Sequence, residues 1–308
     1  MKKLLLGVFT LVFTIVNQVN GQTDIWYVGN NISIDFSSGA AVVGYGIDNN
    51  LGGSLGEGTT SITDPSGKLL FAVAGDKLYD GGGNAVLNLP AGTFDVAQGP
   101  MVIPIPGKPG EYYLSVLSHA TTGSSPTSIY YTISTNGTGS GNLTISGPDN
   151  LSSNLTQGQT GVPKINPDGS VSDDFWLISH ELCNDKFKLF TVSGTGISST
   201  KTSSAGPSFI CSAPNFDNMG TMKFNGCYTK MSYVINGKVM LFDFDPQTGE
   251  FVHLNTVTTG LGQVYSIEFS PNGDYAYAIT GLDNNNAGQL YRFDVTPTGF
   301  GPPVSMGA

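Results

Sequence analysis

A chain of 308 residues with a formal net charge of −10, only 12% charged residues and a single arginine, Arg292, has no basic stripe with which to neutralise phosphates. That excludes nucleic-acid binding, and the same scarcity of Lys and Arg excludes a polybasic membrane patch. The 42 glycines, with abundant Ser, Thr and Asn, describe many tight turns joining many short strands, in a length that suits one large all-β domain.

Met1, Lys2 and Lys3 precede a 13-residue apolar run, Leu4 to Val16, followed by small or medium residues at Val19 and Gly21. This is the pattern of a secretory signal peptide, residues 1–21, cleaved after Gly21; a membrane-spanning helix needs about 20 apolar residues. The expectation is a secreted or cell-surface protein with no membrane insertion after cleavage. Its mature part, residues 22–308, is read as one domain with a net charge of −12 once Lys2 and Lys3 are gone.

Trp26 to Phe36 reads as strand material. Two phased hairpins then recur down the chain. The turns of the first begin at Asp64, Ile105, Asn166, Asn225 and Ser270, where Gly supplies positive φ and Pro a fixed φ before an alternating strand. The second begins at Lys77, Ile129, Lys188, Met240 and Leu290, and places Tyr79, Tyr130, Phe190, Phe242 and Tyr291 at equivalent positions, 51, 60, 52 and 49 residues apart. A four-stranded unit recurring at this spacing predicts an all-β fold, a β-propeller of about five four-stranded blades. In a closed propeller an N-terminal strand often completes the final blade, and such a partner for the Trp26 strand is expected beyond Ala308. The expectation is therefore an incomplete ring from a larger propeller, with a closed five-bladed ring capped by the N-terminal segment as the alternative.

Residues able to carry chemistry are few. His180 and Glu181 end the strand from Phe175, and His119 closes an analogous strand; they are candidate ligand-binding groups at a blade rim, or strand-end residues bonded to a neighbouring blade. Asp168, Asp173, Asp174 and Asp283 lie in oxygen-rich loops that suit calcium, although Asp and Asn also serve turns for their own backbone. No other cofactor is suggested. Of Cys183, Cys211 and Cys227, the pair Cys211 and Cys227 flanks a connection within the fourth unit and is the candidate disulfide; otherwise the three are small buried apolar residues. No GxSxG elbow or phosphate-binding loop is present.

Several stretches together resemble a known family. They include WYVGNNISIDFSSG from Trp26, MVIPIPGKPGEYYLSVLSHA from Met101, DDFWLISHELCNDKFKLFTVSGTGI from Asp173 and YSIEFSPNGDYAYAITG from Tyr265. The chain is similar, from Trp26 to Val295, to the N-terminal β-propeller region of secreted Bacteroidetes surface proteins, gliding-motility-associated and exported with a type IX sorting domain. The resemblance implies surface display and binding and brings no catalytic residues. Family members continue well past the position of Val295, whereas this chain ends 17 residues after Tyr291.

The expected function is a non-enzymatic interaction or scaffold module with a protein or surface-glycan partner. A lactonase-like propeller hydrolase is one alternative, although three His and one Arg give little to converge on a channel. A glycan-binding propeller is the other, with Trp26, Trp176 and loop tyrosines as stacking platforms or, equally, as rings buried between blades.

Overall fold

The computed structural model describes residues 25–29, 32–35, 42–45, 59–93, 96–119, 126–208, 220–235, 237–258, 264–280 and 288–307. The predicted signal peptide, Cys211 and Asp283 lie outside them.

The described residues form strands and no α-helix. Strands β1 (Ile25–Gly29), β2 (Ile32–Asp35) and β3 (Val42–Tyr45) make a small antiparallel sheet. Blade 1 follows, with β4 (Thr60–Thr63), β5 (Leu69–Ala74), β6 (Lys77–Asp80) and β7 (Ala85–Asn88) in that order across the sheet. Blade 2 holds β8 (Pro100–Pro104), β9 (Glu111–Ser118), β10 (Thr127–Thr135) and β11 (Leu143–Ser152). In blade 3 come β12 (Leu155–Ile165), β13 (Val171–Glu181), β14 (Lys186–Ser193) and β15 (Gly196–Ser204). Blade 4 is built of β16 (Met222–Phe224), β17 (Lys230–Ile235), β18 (Lys238–Asp245) and β19 (Glu250–Thr258). Blade 5 has β20 (Val264–Phe269), β21 (Tyr275–Thr280) and β22 (Leu290–Thr296), its outer strand divided into β23 (Gly299–Phe300) and β24 (Val304–Gly307), both paired with β22.

Successive sheets adjoin through their first strands: β1 meets β4, β4 meets β8, β8 meets β12, β12 meets β16 and β16 meets β20. Sheets stacked in chain order around their first strands make a β-propeller. The N-terminal segment differs from the expectation. It is neither a lone strand nor the cap of another blade but a three-stranded sheet whose β1 packs on β4 and β5. It carries no aromatic–turn repeat, so repeat spacing had no means of finding it.

The repeated aromatic has a structural reason. The register of the third strand against the fourth shifts at Leu78/Tyr79, Leu189/Phe190, Leu241/Phe242 and Leu290/Tyr291, directly before the recurrent ring position in four blades. In blade 2 the shifts bracket Tyr130 more loosely. A bulge there increases strand twist, and the ring that follows fills the gap toward the neighbouring blade. Tyr79, Phe190, Phe242 and Tyr291 are buried, and Tyr130 is half-buried.

The cores lie between blades. Phe71, Val73, Leu114 and Ile133 join blades 1 and 2; Ile103, Tyr113, Leu177 and Phe190 join blades 2 and 3. Ile178, Phe187, Tyr233 and Phe242 join blades 3 and 4, and Val234, Leu241, Ala278 and Phe293 join blades 4 and 5. In β21 the small face, Ala276 and Ala278, is buried against blade 4. The large face is open, with Tyr275 and Tyr277 half-buried and Ile279 45% exposed.

Near the axis, amides connect the blades. Gln98 donates to the Met222 carbonyl at 3.0 Å and accepts from the Met222 N–H at 2.8 Å, standing in for a strand between blades 2 and 4. Gln159 accepts from the Ser115 hydroxyl at 2.9 Å and donates to the Gly99 carbonyl at 2.5 Å. Farther out, the glycine-rich hairpins of blades 1 and 2 interdigitate: a Cβ on Gly81 would sit 2.7 Å from the Gly139 nitrogen, and one on Gly82 would collide with Ser140. Asn142, 4% exposed, closes this contact by accepting from the Gly81 N–H and donating to the Leu70 and Gly137 carbonyls.

Candidate functional site

In every blade the turn between the first two strands lies on one face of the propeller, because the strands alternate in direction. Four of these turns satisfy themselves. Asp64 accepts from the Ser66 and Lys68 N–H groups at 2.8 and 3.0 Å, and Asp168 accepts from the Ser170 N–H at 2.9 Å. Asn225 does the same for Thr229 and Lys230, and in blade 5 Ser270 and Asn272 bind the N–H groups of Tyr275 and Asp274. Serine hydroxyls donating to Asp64 and Asp168 hold both carboxyls below their ordinary range.

The turn of blade 2 is different. Ile105 stands where the others place a capping side chain, and the loop holds itself through backbone alone: the N–H of Ile105 donates to the Glu111 carbonyl, that of Lys108 to the Ile105 carbonyl and that of Glu111 to the Lys108 carbonyl. Positive φ at Gly107 and Gly110, 71° and 78°, turns the chain back. Lys108 and Glu111 therefore reach the surface without a hydrogen-bond or ion-pair partner among the described residues, as does Asp173 on the adjoining strand β13. These three side chains line a groove of about 420 Å³ that runs from Ile62 and Thr63 of blade 1, across the blade 2 turn, to Ser172 and Phe175 of blade 3.

The walls are anchored on both sides. Tyr112 packs edge-on against Phe71, ring centroids 5.4 Å apart, in the core between blades 1 and 2, and burial raises its hydroxyl above the ordinary tyrosine range. Phe175 packs on the core between blades 2 and 3. Behind the loop, the Tyr113 hydroxyl donates to the Ser193 carbonyl at 3.4 Å, and a Cβ on Gly194 would sit 2.6 Å from the Pro106 carbonyl oxygen. The groove thus sits on a braced turn, with two half-buried rings and three uncommitted charges.

The sequence-predicted residues fall elsewhere. His180 and Glu181 are the last residues of β13, seven residues and roughly 23 Å of extended strand from Asp173. Adjacent strand residues point to opposite faces, so they do not form a pair facing a ligand. His180 is 1% exposed, its ring 4.6 Å from Phe187 and 5.4 Å from Tyr233, and burial drops its pKa to about 4. Glu181 is held by Lys188 at 2.8 Å and by the Asn184 amide at 2.6 Å; these outweigh its burial and keep its carboxyl below the usual range. His119 is likewise buried, its carbonyl occupying the space a side chain on Gly92 would need.

The carboxylates of the acidic turn are not gathered together. Asp168 caps its own turn, the Asp174 N–H donates to the Ser172 hydroxyl, and no group of three or more His, Cys, Asp or Glu side chains gathers to metal-binding distance among the described residues. The disulfide pairing is a further correction: Cys183 is disulfide-bonded and Cys227 is a free, exposed thiol in the blade 4 turn, so Cys211–Cys227 does not form. Trp176 is no stacking platform. It is 2% exposed, donates to the Pro246 carbonyl of blade 4 at 2.8 Å and lies under the Lys164 ammonium at 4.0 Å. The groove residues Lys108, Glu111, Tyr112 and Phe175 escaped sequence reasoning, although a signal was there: the blade 2 turn alone lacks the Asp, Asn or Ser that its equivalents carry.

No protein-family model matches the sequence, and no curated protein sequence does. Solved structures do match the fold. A candidate 6-phosphogluconolactonase from Bacteroides uniformis is similar at 15% identity and a TM-score of 0.51, over 92% of this chain and 82% of that one. A functionally unknown protein from Desulfotomaculum acetoxidans matches at 13% identity and 0.50, over 89% and 77%. The periplasmic gluconolactonase of Pseudomonas aeruginosa matches at 11% identity and 0.50, over 89% and 76%. The chain is a β-propeller. The expectation of a non-enzymatic protein is corrected by these neighbours: it rested on scarce His and Arg, and the fold of this chain is also the fold of a gluconolactonase.

Proposed function

We propose that this chain is an exported β-propeller that recognises a partner at the cell surface through the groove on its turn face. The observation that carries this reading is the blade 2 turn, which leaves Lys108 and Glu111 uncommitted beside Asp173 and two anchored rings, while its four equivalents cap themselves. The leader-like residues 1–21 and the resemblance to Bacteroidetes surface proteins support export and display. Fluorescently labelled protein should bind the outer surface of the cells it comes from. A Lys108→Ala/Glu111→Gln/Asp173→Asn variant, which touches no core, should bind at least about tenfold more weakly with an unchanged melting temperature. Equal binding by the variant sinks the reading.

Lactone hydrolysis in the same groove is a second reading, favoured by the uncommitted carboxylates and the fold shared with a gluconolactonase. A carboxylate of Glu111 or Asp173 takes a proton from water as the water oxygen attacks the lactone carbonyl carbon. The ring C–O bond breaks, and the Lys108 ammonium protonates the departing oxygen. This reading predicts turnover of glucono-1,5-lactone above the solvent rate, falling by about a hundredfold or more in Glu111→Gln or Asp173→Asn. Absence of turnover above a heat-denatured control would remove it and leave the binding reading untouched.

A further inference from the structure

Resting on the groove as the recognition site, we infer that its ligand is a neutral carbohydrate chain rather than an anionic one. The groove has a surplus of negative charge, two carboxylates to one ammonium. Three of its residues, Pro104, Pro106 and Pro109, have no N–H to offer. The N–H groups of Ile105, Lys108 and Glu111 are already used inside the turn. Its charged groups are the carboxylates of Glu111 and Asp173 against a single ammonium from Lys108, with the hydroxyls of Thr63, Ser172 and Tyr112 along the same lining.

A ligand that fits such a surface brings many donors and little negative charge. The hydroxyls of a sugar do both, each donating to a carboxylate or carbonyl in a charge-assisted or ordinary hydrogen bond. The two half-buried rings, Tyr112 and Phe175, suit the apolar C–H faces of the same sugars. They are fixed in advance by the cores on either side of blade 2, so little freedom is lost on binding. A phosphorylated or sulfated sugar meets two carboxylates against one lysine, and Arg292, the only arginine, pairs with Asp294 in blade 5.

Calorimetric titration of the purified protein with cellohexaose, xylohexaose and mannohexaose, beside a heparin-derived hexasaccharide and hexalysine, tests this. Saturable binding of at least one neutral hexaose is expected, without measurable binding of the heparin fragment. Tyr112→Ala should weaken that binding by roughly tenfold, and Glu111→Gln, which leaves the Phe71 contact intact, by several-fold. No neutral hexaose binding up to about 5 mM, preference for the heparin fragment, or binding of hexalysine alone overturns the inference. Loss of cell-surface binding in the groove variants without competition by any hexaose also overturns it, yet keeps the groove as the recognition site. Undiminished surface binding by those variants overturns both.

Discussion

Lowering the pH from 7 to 4.5 should destabilise the folded protein by roughly 2 to 3 kcal/mol, chiefly through His180. A smaller part comes from His253, whose imidazole burial also lowers, so a His180→Gln variant should lose most of that dependence. Burial between blades 3 and 4 drops the His180 imidazole to about 4, whereas in the unfolded chain it titrates near 6.5. The folded value is the lower one, so as the pH falls the unfolded state takes up the proton first. The contribution is therefore complete above about pH 6.5 and is lost progressively toward pH 4.

The carboxylates act in the same direction but in a lower window. In Asp80, burial is outweighed by N–H donors from Gly141, Asn84 and Gly82, and Glu181 and Asp245 are also held below their ordinary values. Their contributions fade only below about pH 4.5, so the two effects separate. Urea unfolding at intervals from pH 7 to 4.5 reads the difference. A wild-type curve that stays flat across this window would show that His180 is not buried neutral. The same result would reopen the rim pair as a site.

The two kinds of feature, fold and site, were unequally legible in the sequence. Turn residues and ring positions at a spacing of about 50 residues are local signals, each required by backbone geometry, and they marked out the five four-stranded blades. The third strand's ring even marks the bulge that precedes it. The sheet of β1 to β3 has no such repeat: Trp26 to Phe36 reads as strand, but its pairing into a separate sheet stayed hidden. The disulfide expectation failed because nearness along the chain was taken for nearness in space, while the bonded cysteine is Cys183, in the connection after β13. The groove was hidden for a further reason. It is made by residues from three blades, and its defining property is a capping side chain that Ile105 does not supply. Only comparison of five superposed turns shows that one of them leaves its charges outward. His180 misled in the opposite sense: a titratable group at a strand end looks like a site until the rings of Phe187 and Tyr233 are found around it.

Truncating Phe187 to Ala should cost about 3–5 kcal/mol, at the upper end for loss of a single core side chain, whereas Phe175→Ala should cost clearly less. Both are phenylalanines of blade 3, and the difference lies in what surrounds them. Phe187 is fully buried, stacked on Phe251 at 4.3 Å, edge-on to Phe242 at 5.2 Å and to His180 at 4.6 Å. Three of its partners come from blade 4: Tyr233, Phe242 and Phe251. No strand pairing crosses from one blade to the next among the described residues, so side-chain packing of this kind carries most of the coupling between them. A cavity at Phe187 removes contacts from both blades at once, and the surrounding rings, fixed in two sheets, have little room to collapse into it. Phe175 packs on one side only and lines the groove on the other. Denaturant unfolding should show a lower midpoint for Phe187→Ala, with a second transition if blades 1 to 3 and blades 4 and 5 come apart. A loss below about 1 kcal/mol would mean that the blades are joined chiefly through the axis amides of Gln98 and Gln159 rather than through their aromatic cores.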